Sequence, residues 1–132
     1  MQASQGKSSQ SYKDLEIFQM ARALAVRVHK MTLEKLPKFE MFEEGSQIRR
    51  SAKSVEINIV EGFGRKRYRG DYVKHLTYAL SENDETKEHL NTLFETHSLT
   101  DEVLYKDLYQ SYEILGRKIY RFRESFIGSE SF

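Results

Sequence analysis

QIRRSAKSVEINIVEGFGRKRYRG, residues 47–70, decides the fold, because its glycines admit two readings. A phosphate-cradling G-x-G-x-x-G loop needs a strand before it and a helix opening at it, so that backbone N–H groups face the anion. Here Gly62 and Gly64 follow a run in which Ile48, Ala52, Val55, Ile59 and Phe63 recur every three or four residues, and the third glycine position holds Arg67. That spacing is helical. The glycines are therefore expected to end a helix, supplying the left-handed backbone that a C-cap favours. Arg65, Lys66 and Arg67 then form a basic knuckle beside the carbonyl end of the helix dipole.

Three further helical segments surround this one. In the first, Ile17, Ala21, Leu24, Val28 and Met31 form a stripe closed by Leu36-Pro37, since proline disfavours helix in the residue before it. KFEMFEEG is a connector with room for a helical turn. The third segment is expected to start at Asp71 as N-cap and carries Val73, Leu76, Leu80, Leu90 and Leu93, with its stripe broken by SENDETKEH, residues 81–89. The fourth starts at Thr100-Asp101-Glu102 and carries Leu104, Leu108, Tyr112, Leu115, Ile119, Phe122 and Phe126. Helices of this length joined by short connectors run antiparallel, which predicts an all-α, up-down-up-down four-helix bundle. The bundle is expected over residues 12–127, with a disordered polar arm at 1–11 and a polar tail at 128–132.

With 132 residues the chain is one domain, and its lack of cysteine excludes disulfides, thiolate metal sites and cysteine nucleophiles. No stretch is long and apolar enough to span a membrane, and the N-terminus lacks the apolar core of a signal peptide, so a cytoplasmic protein is expected. The formal net charge of +1 hides a segregation. Residues 49–69 hold Arg49, Arg50, Lys53, Arg65, Lys66, Arg67 and Arg69 against Glu56 and Glu61. Residues 82–102 hold Glu82, Asp84, Glu85, Glu88, Glu95, Asp101 and Glu102 against Lys87. Such a chain suits polyanions, or copies of itself head to tail.

Two readings compete for the basic set: a solvated face paired with the acids of the third helix, or a surface that neutralises phosphates and releases their counterions. RKIYRFR, residues 117–123, interleaves cations with aromatic rings, yet Phe122 falls on the core stripe. Asn58 and Glu61 lie one turn apart on a mostly apolar helix, where a polar residue fixes register or partner choice. No nucleophile, Glu-x-x-His pair or HExxH motif accompanies them, so no catalytic residue, cofactor or metal site is expected.

QIRRSAKSVEINIVEGFGR, residues 47–65, resembles the signature of the four-helix-bundle proteins encoded in intervening sequences of bacterial 23S rRNA genes. Gln47, Ile48, Arg49, Arg50, Ser54, Asn58, Ile59, Glu61, Gly62 and Arg65 match a Q-I-R-R-x-x-x-S-I-x-x-N-I-x-E-G-x-x-R pattern. YKDLEIFQMARAL, residues 12–24, is similar to the family's first helix, and the resemblance extends over residues 12–126. It implies a bundle that assembles into a homo-oligomeric ring, a pentamer. It is also similar to the accessory proteins of diversity-generating retroelements, which implies RNA or DNA, or a partner enzyme such as a reverse transcriptase, as binding partners. Asn83 and Thr86 depart from the apolar residues the family places in the third helix, whereas Glu85 matches an acidic position.

The sequence thus predicts a non-enzymatic, oligomeric helical bundle that binds nucleic acid through the basic set, or else a protein adaptor.

Overall fold

The computed structural model describes residues 11–128, and among these there are four α-helices and no strand: α1 Glu16–Glu34, α2 Glu44–Gly64, α3 Arg69–Glu95 and α4 Glu102–Gly128. Pairings along their lengths fix the directions. Arg49 meets Thr32 and Glu56 meets Arg22 between α2 and α1. Ser51 meets Thr86 between α2 and α3. Tyr72 packs on Phe126, while Phe94 at the other end of α3 stacks on Tyr105. Each successive helix therefore runs against the last, giving the antiparallel four-helix bundle that the stripes predict.

The ends have local causes. Ser11 opens the chain's first turn, a 3₁₀ turn at Tyr12–Asp14; its Oγ accepts from the Lys13 N–H, and Asp14 accepts from its own N–H. Of the expected polar arm over 1–11, the rest lies outside the described residues, as does most of the tail over 128–132. α1 stops just before Leu36-Pro37, and a 3₁₀ turn, Lys38–Phe42, occupies the connector to α2. Asp101 caps α4, its Oδ1 accepting from the Leu104 N–H at 3.0 Å. His97, with φ 68°, closes the end of α3 in the left-handed region, beside the bond from Leu99 N–H to the Leu93 carbonyl.

Two expected ends are corrected. No glycine among the described residues has a positive φ, so neither Gly62 nor Gly64 is a left-handed cap; Arg65 closes α2 with φ −112° and ψ 22°. Gly62 is instead buried inside the last turn, where a Cβ would lie 3.0 Å from the Tyr72 ring and 3.2 Å from the Cβ of His75. Asp71 is likewise not the N-cap of α3. Tyr68 holds that position, and Asp71 sits in the first turn, where its charge complements the dipole.

The core is a continuous apolar column: Val28 from α1, Ile48, Val55 and Ile59 from α2, Leu76 and Leu90 from α3, and Leu108, Leu115 and Ile119 from α4 are all fully buried. The break in the third helix's stripe is filled rather than solvated. Asn83 and Thr86 are buried in register with Leu76, Ala79, Leu90 and Leu93. Asn83 Nδ2 donates to the Tyr112 carbonyl at 2.9 Å, and the Ser51 and Thr86 hydroxyls share a 2.8 Å hydrogen bond. These bonds offset part of the cost of burying the layer, although Asn83 Oδ1 has no partner among the described residues.

Two tyrosines link this core to pH. Burial pushes the Tyr72 hydroxyl up to about 12, and it drives Tyr112 well above the ordinary tyrosine value, with Glu56 adding to the rise. An unfolded tyrosine ionises near pH 10 while these stay protonated, so the unfolded state binds fewer protons above pH 10 and stability falls. Denaturant unfolding between pH 9 and 11 is expected to show a loss of about 2 kcal/mol, about half of it absent in Tyr112→Phe. The Tyr112 hydroxyl is buried without a partner, so Tyr112→Phe should be no less stable than the native chain at pH 7.

Candidate nucleic-acid interface

The cations of α2 divide by the turn they stand on. Arg49, near the start of the helix, is half-buried and reaches inward: Nη1 donates to the Thr32 hydroxyl at 2.9 Å and Nη2 to the Met41 carbonyl at 2.6 Å. It ties the irregular connector to α1, using a carbonyl that the 3₁₀ turn leaves without a helical partner. Arg50 pairs with both Glu82 and Glu85 of α3. Burial and the neighbouring Glu85 raise the Glu82 carboxyl, and Arg50 opposes that rise. Glu85 also faces His89, whose Nδ1 pairs with Glu44. Both arginines are thus engaged within the fold. Lys53 is exposed and has no ion pair among the described residues; it lines a shallow groove with Arg22, Ala25, Val26 and Glu56.

The remaining cations gather at the α2–α3 turn. Arg65, Lys66, Arg67 and Arg69 are all exposed within five consecutive residues. Lys66 lies over the Phe63 ring at 3.7 Å and Arg67 over Tyr68 at 5.6 Å, so aromatic faces hold both side chains without neutralising them. Arg65 reaches Asp71 at 3.2 Å, a surface pair of small energetic weight.

Antiparallel packing brings the last turns of α4 to the same end, where Arg123 donates to Thr77 of α3 at 3.0 Å and Arg121 is exposed. Acids are present there too, at Glu61 and Asp71, with Glu16 and Glu124 paired to Lys118 and Arg123. The opposite end carries Glu43, Glu44, Glu88, Glu95, Asp101 and Glu102, with Lys35 and Lys106 as counter-charges. Charge is therefore polarised along the bundle axis.

The model of the 23S rRNA-intervening sequence protein family matches residues 13–121, most of the chain. The chain belongs to the 23S rRNA-intervening sequence protein family. Among solved structures, a protein of unknown function from the S23 ribosomal protein family of Bacteroides thetaiotaomicron VPI-5482 shares the fold, with a TM-score of 0.71 at 24% identity, over 82% of this chain and 95% of that one. No curated protein matches the chain.

In this member of the 23S rRNA-intervening sequence protein family, the motif residues of α2 serve different ends. Asn58 is half-buried: its Nδ2 donates to the Ser54 carbonyl at 3.0 Å, and its Oδ1 lies 3.3 Å from His75 Nδ1, joining α2 to α3. Glu61 is exposed. Glu56, one of the two acids within the basic block, is buried and accepts from Arg22 at 2.8 Å. Glu40 is also buried, accepting from the Ser98 hydroxyl at 2.5 Å.

No group of three or more histidines and acids among the described residues is arranged to hold a metal ion, and no helix there is long and apolar enough to cross a membrane. Sequence reasoning overlooked a groove between α3 and α4 lined by Asn83, Lys87, Gly116, Arg117, Tyr120 and Arg121. Its sequence signals are Arg117, Tyr120 and Arg121 within RKIYRFR, and Gly116, a glycine in the middle of a strongly periodic helix.

Proposed function

We propose that this family member is a non-enzymatic bacterial protein of the cytoplasm that assembles into a homopentameric ring and binds RNA through the basic knuckle at the α2–α3 turn. The observation that carries the reading is that Lys66 and Arg67, exposed on one short turn with Arg65 and Arg69, lie over aromatic rings, whereas Arg49 is turned into the fold and Arg50, though exposed, pairs with Glu82 and Glu85. Each phosphate neutralised by such a cation releases condensed counterions, which gives affinity without sequence readout. One knuckle is a weak site. Copies tied together in a ring gain by effective concentration, so a long RNA would be held by several knuckles at once.

The test is RNA and DNA binding across a salt series, with the native chain beside a variant carrying Arg65→Glu, Lys66→Glu and Arg67→Glu. The knuckle is exposed, so the variant should keep its fold and mass. Its affinity is expected to fall about 100-fold or more, and the slope of log affinity against log salt to drop by about 2, the share of three phosphate contacts on a single strand. Absence of native binding at low salt would overturn the reading.

A second reading, a ring that docks a partner enzyme such as a reverse transcriptase, is favoured by one feature. Phe42 and Phe39 are 86% and 63% exposed on the α1–α2 connector, beside the half-exposed Leu33. An adaptor of that kind would retain its protein partner through Phe39 and Phe42 and would be indifferent to the knuckle reversal.

A further inference from the structure

The α3–α4 groove has a volume of about 560 Å³ and lies among Leu80, Asn83, Asp84, Lys87, Glu113, Gly116, Arg117, Tyr120 and Arg121. Gly116 forms its floor, and the Asn83 amide fills the place a side chain there would take. Gly116 has no side chain, and a Cβ there would come within 2.9 Å of Asn83 Nδ2. Asn83 is 1% exposed; its Nδ2 is engaged with the Tyr112 carbonyl, but its Oδ1 has no hydrogen-bond partner. That oxygen is sealed beneath the floor, so the groove surface itself is shaped by Gly116 and the side chains around it.

The walls carry the remaining chemistry. Tyr120 is 51% exposed, although it belongs to a helix whose other rings pack inward, and Arg123 lies over its ring at 5.2 Å. Arg117 and Arg121, one turn before and one residue after it, are exposed and have no ion pair among the described residues. Lys87 is mostly covered, and its Nζ is 3.7 Å from Asp84. Glu113 faces the same groove. Two unpaired guanidinium groups beside an open aromatic face call for a ligand that is both anionic and aromatic.

We propose that the α3–α4 groove accepts one nucleotide unit, with its base on Tyr120 and its phosphate on Arg117 and Arg121. The site adds base contact to the phosphate contacts of the knuckle. It rests on the nucleic-acid reading for its role on a polymer, whereas a free mononucleotide tests the groove by itself. A base must be unstacked to enter, so the groove takes single strands in preference to duplex.

The experiment is a titration of the full chain with CMP, UMP and inorganic phosphate, followed by calorimetry and by amide NMR shifts. CMP and UMP are both expected to bind at millimolar concentrations, and more tightly than phosphate, with shifts centred on Gly116, Arg117 and Tyr120. Tyr120→Ala, an exposed substitution whose thermal melt should match the native chain, is expected to weaken CMP about tenfold or more. Arg117→Glu with Arg121→Glu should do the same. The knuckle reversal should leave CMP unchanged. On a short single-stranded RNA, Tyr120→Ala should lower affinity with an unaltered salt slope, because tyrosine neutralises no phosphate. Equal binding of CMP and phosphate, shifts centred elsewhere, or native-like CMP affinity in a folded Tyr120→Ala would overturn the proposal, as would no binding of CMP at all. Failure of the knuckle alone would appear as intact CMP binding with no salt-dependent RNA binding.

Discussion

Gly62→Val is expected to lower the free energy of unfolding by about 3 kcal/mol, while Gly62→Ala stays within about 1 kcal/mol of the native chain. The difference follows from the seam between α2 and α3. Alanine gains the helix propensity that glycine lacks, but its Cβ meets Tyr72 Cδ1 at 3.0 Å and the Cβ of His75 at 3.2 Å, so a shift of a few tenths of an ångström offsets the gain. Valine adds two methyl groups where the ring of Tyr72 already stands. Tyr72 cannot swing away cheaply, since its other contacts are Phe122 at 5.8 Å and Phe126 at 4.6 Å, and these belong to α4. Overpacking at Gly62 therefore reaches a third helix. Urea unfolding of the two variants measures the contrast; equal stability of Gly62→Val and the native chain would mean that the helices do not approach so closely.

Asn83→Asp is expected to be the more damaging substitution, at about 3–5 kcal/mol near pH 7. Asn83 is nearly isosteric with aspartate, so space is not the cause. The amide nitrogen that donates to the Tyr112 carbonyl becomes an oxygen facing an oxygen, and a carboxylate is buried where the amide's one hydrogen-bond partner is a carbonyl. Protonation relieves both faults, because a neutral carboxylic acid can donate to that carbonyl. The folded pKa of the new aspartate is thus raised above its unfolded value near 4, and the penalty grows as pH rises through the interval between the two. Unfolding at pH 4.5 and at pH 7 should show Asn83→Asp recovering part of its stability at the lower value, measured against the native chain at each pH. A penalty independent of pH would argue that Asn83 is not sealed from water.

Both positions show where the sequence could be read and where it could not. The fourth helix was legible because every inward position is written in an apolar residue: Leu108, Tyr112, Leu115 and Ile119 are fully buried, with Leu104, Phe122 and Phe126 packed against them. The third helix has an equally regular inward face, from Leu76 and Ala79 through Asn83 and Thr86 to Leu90 and Leu93. Hydropathy hides it, because hydropathy ranks residue types and not whether a polar atom finds its partner on another helix. Arg49 escaped for a related reason. Its acceptors, the Met41 carbonyl and the Thr32 hydroxyl, come together only when the connector folds back, so the residue reads as one more surface cation. Gly62 was seen as an end signal when its missing side chain serves a neighbour. The knuckle was legible in position, since four cations within five residues after a helix leave little room to be buried.

The polarisation of charge along the bundle has a consequence for how the molecule meets a partner in solution. Helices of 27 residues place the knuckle and the acidic end about 40 Å apart, several times the roughly 8 Å over which physiological salt screens a charge. The protein is in effect a rod with a permanent electric moment. In the field of a polyanion it experiences a torque before it experiences contact, and it turns its α2–α3 corner forward while still diffusing. For the polyanionic partner proposed above, successful collisions would be selected by orientation, and added salt would slow arrival by shortening the distance over which that turning begins.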